Sequence, residues 1–528
     1  MQLTIPSSLD QFIGSVKDID LSSRQQQTIG LITAATVVTS YTFYRLLFKG
    51  PSDGCPTVPY RDPIKGSSAE YRKDPRAFVE KWTKALGPVY RVHLYGRMHT
   101  IISGRYVREI FMNNSFDFHT GIEKRFDMKT MADISHSDVP INDTRTSVVQ
   151  YLTPHLKHFT PRAVENLHLG LKDVLGTMED GSVEIQHMYP LVQRMVARAS
   201  ASVFVGEKLS QDLDLIASFQ DITTDLGSMI RFENYWLETF SFLMKLKMWA
   251  IGKFSSKVKK HRTTMLRSLT PEIDLRLSCA KDDPNWQKPN DILQELIDHA
   301  EVPRGRDIYT HIVNEIIVLI FASIHTTSEN GTIVLYRILQ NPELINELLE
   351  EQQETIEHAG LDPNGKSNEV FTFDTIKGMV KLDSFCREAL RLRSEFYELA
   401  HTNISKQNVV LSNGTIIPPD GDVLINSWYN QQSNSWEEMR KDGEDRAQFK
   451  PFRYLNTGYP STKVSDDYLV FGEGRRACPG RWFAIQEIKT IIALLIRDYK
   501  VRPTSDILFP TSLDTAMPFG SASFEKRN

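Results

Sequence analysis

Phe471-Gly-Glu-Gly-Arg-Arg-Ala-Cys478-Pro-Gly480 sets one cysteine in a glycine-rich turn just ahead of a strongly apolar, helix-periodic segment. A thiolate in such a turn can meet a haem iron. A cysteine ligand pushes electron density onto the iron and favours O–O cleavage, so it belongs to oxygen activation rather than oxygen carriage. Five positions carry the pattern: Phe471, Gly474, Arg476, Cys478 and Gly480. Average residue usage would match them by chance in roughly one chain of this length in ten thousand. The glycines let the backbone approach a macrocycle and expose amide N–H groups near the sulfur. Arg476 suits a haem propionate, and Phe471 is placed to keep water off the thiolate.

The segment resembles the cysteine-ligand signature of the cytochrome P450 monooxygenases. Upstream, Glu388-Ala-Leu-Arg391 is similar to that family's Glu-x-x-Arg pair, and Phe449-Lys-Pro-Phe-Arg453-Tyr454 to the segment whose arginine completes a Glu–Arg–Arg cluster. Alone, an i,i+3 charge pair is commonplace on a solvated helix; the order of the three motifs gives it meaning. The resemblance implies a mainly α fold with small β-sheets (α+β) and one large catalytic domain. It also implies heme b ligated through Cys478, with Arg476, Phe471, Gly474 and Gly480 around it, and a Glu388–Arg391–Arg453 cluster that braces the cysteine loop.

A second chemical site is expected on the apolar helix from about His311 to Leu339. Asn314, Glu315 and His325 argue that this helix is a buried core element rather than a membrane span. Within it, Ala322-Ser-Ile-His-Thr326-Thr327 resembles the family's oxygen-activating motif, usually Ala-Gly-x-acid-Thr-Thr. The resemblance implies that Thr326 hydrogen-bonds the reacting dioxygen and helps deliver protons; the residues alone also fit threonines bonding back to helix carbonyls. Ser323 stands where the glycine is usual and His325 where the acid is usual, and a histidine relay titrates near neutral pH. No Trp-x-x-x-Arg occurs around residues 147–155, and His401 falls about where the family often has another propionate-binding arginine.

Cys55, Cys279 and Cys386 form no C-x-x-C pair and no zinc-like spacing. Four scattered cysteines fit a reducing compartment, with Cys386 a buried small apolar side chain. Residues 28–48 contain one charge, Arg45, near their end. At 1.5 Å per residue they would just span a bilayer core, although six hydroxyl residues keep an interfacial helix open as the alternative. Arg45, Lys49, Arg61 and Lys65 place the following chain in the cytosol and the polar tail 1–27 in the lumen. The Pro/Gly-rich stretch 49–59 reads as a stiff linker into a haem-binding domain over 60–528. The resemblance points to an endoplasmic-reticulum membrane anchor.

A net charge of −4 gives no nucleic-acid footprint. Val89–Tyr95 alternates like a half-buried strand, with Gly96-Arg97 turning it into a second strand through Ile102. A helix is expected from Pro342 to about Glu357 with Asn341 as N-cap, and another from Trp482 to Tyr499. The chain has no Gly-x-Gly-x-x-Gly dinucleotide site, so the resemblance implies an NADPH-cytochrome P450 reductase as electron donor, with cytochrome b5 as an accessory. The pocket would draw on Phe126, Met128, Met131, Phe396, Tyr397, Met517 and Phe519, suiting a large apolar ligand. By resemblance that ligand is a fungal secondary metabolite such as a terpenoid or prenylated indole. A reductase-independent haem-thiolate isomerase or dehydratase, and a non-catalytic anchored binding protein, are the competing readings.

Overall fold

The computed structural model describes residues 53–62, 64–134, 145–176, 181–229, 241–283, 285–393, 397–435, 444–510 and 517–527. The expected anchor over 28–48, its preceding tail and Phe396 lie outside these residues.

Ten strands are named here in chain order: β1 (Val89–Leu94), β2 (Arg97–Ile102), β3 (Phe116–Asp117), β4 (Ser182–Ile185), β5 (Tyr397–Asn403), β6 (Val409–Val410), β7 (Ile416–Ile417), β8 (Asp422–Asn426), β9 (Tyr499–Pro503) and β10 (Ala522–Lys526). They form a five-stranded sheet in the order β1-β2-β8-β5-β3, a three-stranded sheet β4-β10-β9 and the small hairpin β6-β7. Tyr95 and Gly96 turn β1 into β2 through positive φ of 51° and 72°, the geometry of a two-residue hairpin. β1 is buried along its whole length rather than half-buried. It is covered on one side by Tyr71, Phe78 and Tyr397 and joined on the other to a second apolar cluster.

The site is positioned by eight helices: α1 (Phe118–Phe126), α2 (Leu156–Leu175), α3 (Met188–Phe204), α4 (Ser241–Phe254), α5 (Ile308–Ile320), α6 (Thr326–Gln340), α7 (Val380–Arg391) and α8 (Arg481–Asp498). α5 and α6 are one continuous helical run of 33 residues, apolar and long enough by composition to cross a membrane. Here it is a core element: α6 packs against α3, α7 and α8, and Ile312, Ile316, Ile320, Val334 and Ile338 have no exposed surface. The run passes through a π-helical turn over Phe321–His325. Ser323, Thr326, Ser328 and Thr332 in and after this turn each donate to the carbonyl four residues back, at 2.5–2.8 Å, bonds that compete with the helical ladder.

α8 begins at Arg481, and Ile485, Ile488, Ile491, Ile492, Leu494 and Leu495 are all buried, so it is apolar on more than one face. The helix expected from Pro342 begins as a short 3-10 turn, Pro342–Leu344, and becomes α-helical only over Ile345–His358. Asn341 does not cap it; its side-chain amide donates to Arg337 O, closing the preceding helix instead.

Candidate active site

The cysteine loop is held at every step. Gly472 and Gly474 adopt φ of +67° and +65°, and a Cβ on Gly474 would lie 2.9 Å from Met112 Sδ and 3.3 Å from Phe111 O. Only glycine fits there. Gly480, by contrast, has φ of −82° with open space where a Cβ would be, so its value lies in the room it leaves. The Cys478 N–H donates to Phe471 O at 2.8 Å. Arg481 donates through Nη1 to Cys478 O at 2.7 Å and through Nε to Thr462 O at 3.0 Å. Arg145 reaches Arg475 O at 2.7 Å and Ala477 O at 3.4 Å, and Thr153 donates to Pro479 O at 3.2 Å.

Cys478 is a free thiol exposed by surface area, yet burial pushes its pKa up against the pull of the Gly480 and Arg481 amides and the Arg481 and Arg145 charges. Both observations hold for a side chain that solvent can reach while protein packs around it. The donors turned on the sulfur favour the thiolate, and ligation to a metal would complete the deprotonation. One exposed thiolate with the Gly480 and Arg481 amide N–H groups turned on it fits a haem iron; among the described residues no cluster of three or more His, Cys, Asp or Glu competes as a metal site.

Glu388, Arg391 and Arg453 meet as the sequence leads one to expect. Arg391 grips Glu388 with two bonds of 2.8 Å, Arg453 Nε adds a third at 3.1 Å, and the Lys450 amide a fourth at 2.9 Å. Glu388 is fully buried. Burial alone would raise its pKa, but the Arg391 and Arg453 guanidiniums hold it below the usual carboxylate range. Arg391 also donates to Gln431 O and Arg446 O, tying the cluster to the segments that follow.

Arg476 is ion-paired with Asp117, the N-cap of α1, whose other carboxylate oxygen accepts from Thr120 N at 2.7 Å. His401 packs edge-on against Phe111 at 5.0 Å, and burial drives its pKa down to about 4, so the ring is neutral at pH 7. Its Nδ1 lies 2.5 Å from Leu399 O. Committing the proton there leaves Nε2 an acceptor, so His401 offers packing, and Arg476 charge, to a carboxylate on this flank.

On the long helix, Ala322, His325 and Thr326 are exposed while Ile324, Thr327 and Ser328 beside them are buried. Thr326 Oγ1 donates to Ala322 O at 2.8 Å, the back-bonded arrangement also open from the sequence. His325 Nδ1 lies 3.0 Å from Tyr189 OH, and burial raises the Tyr189 phenol above its ordinary value. Of the expected pocket residues, Tyr397 and Met131 are core: both are buried, and Tyr397 hydroxyl bonds Tyr90 hydroxyl at 2.7 Å. Phe519 is 41% exposed. Sequence reading missed Arg145, Arg481, Asp117 and Tyr189. Arg145 stands 330 residues from the carbonyl it holds and Asp117 stands 359 from Arg476, distances no local pattern signals; Arg481, three residues after the cysteine, was the one within reach.

The family model for cytochrome P450 matches residues 56–521. The chain is 26% identical to cytochrome P450 monooxygenase 151 of Postia placenta, over 93% of this chain and 97% of that protein. It is 24% identical to cytochrome P450 monooxygenase CYP512U6 of Ganoderma lucidum, over 79% of each. Among solved structures, retinoic acid-bound cyanobacterial CYP120A1 superposes with a TM-score of 0.61 at 19% identity, covering 89% of this chain and 99% of that one, a likeness of fold.

Proposed function

We propose that this chain, which belongs to the cytochrome P450 family, oxidises a large, mainly apolar secondary metabolite with electrons from a membrane-bound NADPH-cytochrome P450 reductase, cytochrome b5 serving as a second donor. Membership makes it a monooxygenase that holds haem through a cysteine thiolate. The reading is carried by one observation: Cys478 is an exposed free thiol in a loop whose carbonyls are held by Arg145, Arg481 and Thr153.

When bound, haem supplies dioxygen activation and the oxidising power for the C–H bond. Cys478 would hold the haem iron through its thiolate, with Phe471 and Gly474 shaping the loop, Gly480 leaving room beside it, and Arg476 and His401 on the flank that would receive a propionate. Thr326 breaks its 2.8 Å bond to Ala322 to hold a proton toward the reacting oxygen, and His325, with Tyr189 behind it, resupplies that proton.

The substrate class, a terpenoid or prenylated indole skeleton, rests on the family resemblance. The apolar character of retinoic acid, bound by the cyanobacterial relative, agrees with it. We assign residues 28–48 to a single endoplasmic-reticulum anchor, 1–27 to a lumenal tail, 49–59 to a linker and 60–528 to a cytosolic catalytic domain. Reconstitution with the reductase in membranes tests the reading: product that requires both NADPH and O2 supports it. Turnover of a peroxide or oxime without NADPH would replace it with the isomerase or dehydratase reading.

A further inference from the structure

The turn that leads into Cys478 leans on one methionine. Met112 closes the helix Tyr106–Met112, and its sulfur lies against the bare side of Gly474, where a Cβ would stand 2.9 Å from Met112 Sδ and 3.3 Å from Phe111 O. Gly474 opens the short 3-10 turn Gly474–Arg476. Its carbonyl accepts from the amide of Ala477, the residue before the cysteine, at 3.2 Å. A displacement of Gly474 therefore reaches Cys478 through a single turn of chain.

The same residue is open to solvent. Met112 is 55% exposed, whereas every other methionine among the described residues is buried or half-buried. Packing shields a core thioether from dissolved oxidants, and this one lacks that shield. The oxidant in question is hydrogen peroxide, which a monooxygenase releases when the oxygen it has reduced is not cleaved productively. The step balances: the peroxide O–O bond breaks, one oxygen bonds to Met112 Sδ, the sulfur gives up two electrons, and the other oxygen leaves as water with both protons. A flexible apolar side chain becomes a larger polar one. An oxygen added on the side of the turn would crowd Phe111 O, acceptor against acceptor. If the side chain swings outward instead, Gly474 loses its support, so the contact ends in either case.

We propose that Met112 is a peroxide-responsive modification site: its oxidation to the sulfoxide releases the Gly474 turn and loosens the hold on the Cys478 thiolate, and a methionine sulfoxide reductase reverses the change. Protein that leaks peroxide thereby silences itself, and the lesion is repairable, unlike oxidation of the cysteine to its sulfonic acid. The inference rests on the haem-thiolate reading above and adds to it a site of chemical control.

The test treats the full-length, haem-loaded protein in detergent with graded hydrogen peroxide and follows two readouts, peptide mass spectrometry of each methionine and the carbon monoxide difference spectrum. Met112 sulfoxide should form ahead of the sulfoxides of half-buried Met98 and Met229, and the thiolate-type band should fall in step with it. Methionine sulfoxide reductases for both epimers, supplied with a thiol reductant, should then return the band. Met112→Leu keeps the bulk without the sulfur and should hold its band at the same peroxide dose. The proposal is overturned if Met98 or Met229 is oxidised first, if the band falls as fast in Met112→Leu as in the wild type, or if the reductases remove the sulfoxide without restoring the band. Should Met112→Leu give no thiolate band before treatment, the order of oxidation and the reductase reversal in the wild type decide. Failure of the haem-thiolate reading has a different signature, absence of the band from untreated wild type, and leaves the measured order of oxidation standing.

Discussion

In the cysteine loop and in the Glu388 cluster the polar groups are committed to one another across the chain: Arg481 to Cys478 O and Thr462 O, Arg145 to Arg475 O, and Glu388 to Arg391, Arg453 and the Lys450 amide. Around Thr326 the Ser323 and Thr326 hydroxyls bond back to their own helix, the one cross-link described is His325 to the Tyr189 hydroxyl, and Ala322, His325 and Thr326 stand exposed. The first region is a fixed mount, whose parts have one arrangement. The second keeps its donors in local bonds that cost little to exchange, so its arrangement can respond to what enters. Ligand geometry and proton supply are thus built by different means, and mutations should separate them.

The sharpest break is on the mount. Cys478→Ser should abolish thiolate ligation and all oxidation, seen as loss of the red-shifted carbon monoxide band; retained activity would place the ligand elsewhere. Glu388→Gln comes next. It leaves Arg391 and Arg453 buried beside a neutral amide, and breaking such a pair costs about 3–5 kcal/mol, to be measured by denaturant titration. A loss under 1 kcal/mol would show that the cluster does not brace the loop.

On the helix the effect should be chemical and not structural. Thr326→Ala should fold and bind haem normally but lower productive turnover by about 100-fold, the lower range for a lost general acid, while NADPH consumption continues and peroxide accumulates. Normal coupling would confine Thr326 to its back-bond with Ala322.

The smallest effect concerns pH and the edge of the mount. Burial and the neighbouring Asp466 charge push the Glu473 carboxyl up to about 7. The folded state therefore binds more protons than the unfolded chain between the ordinary Glu value of 4.5 and about 7, and stability falls as pH rises through that window. In Glu473→Gln this decline should shrink, read as a smaller difference in Tm between pH 5 and pH 8; an unchanged difference would mean that Glu473 is ionised throughout.

The mount was the more legible region in the sequence, because its chemistry is compressed into short motifs. Phe471 to Gly480 and Glu388 to Arg391 are local strings, and the structure adds the reason for Gly474, which is Met112 and Phe111 pressed against it. The long-range partners were not legible: Arg145 and Asp117 reach the loop across more than 300 residues, and nothing in their own neighbourhoods marks them. The long helix was readable as a buried core element, but its π-turn was not. Tyr397 and Met131 show the limit of composition. An aromatic or methionine reads the same in a core as in a pocket, and burial decides.

The central claim is that Cys478 presents a thiolate to haem iron, and the carbon monoxide difference spectrum of the dithionite-reduced protein in membranes tests it most directly. A strongly red-shifted Soret band is the expected result. A spectrum of the histidine-ligated type, or well-folded protein without haem, would contradict the account.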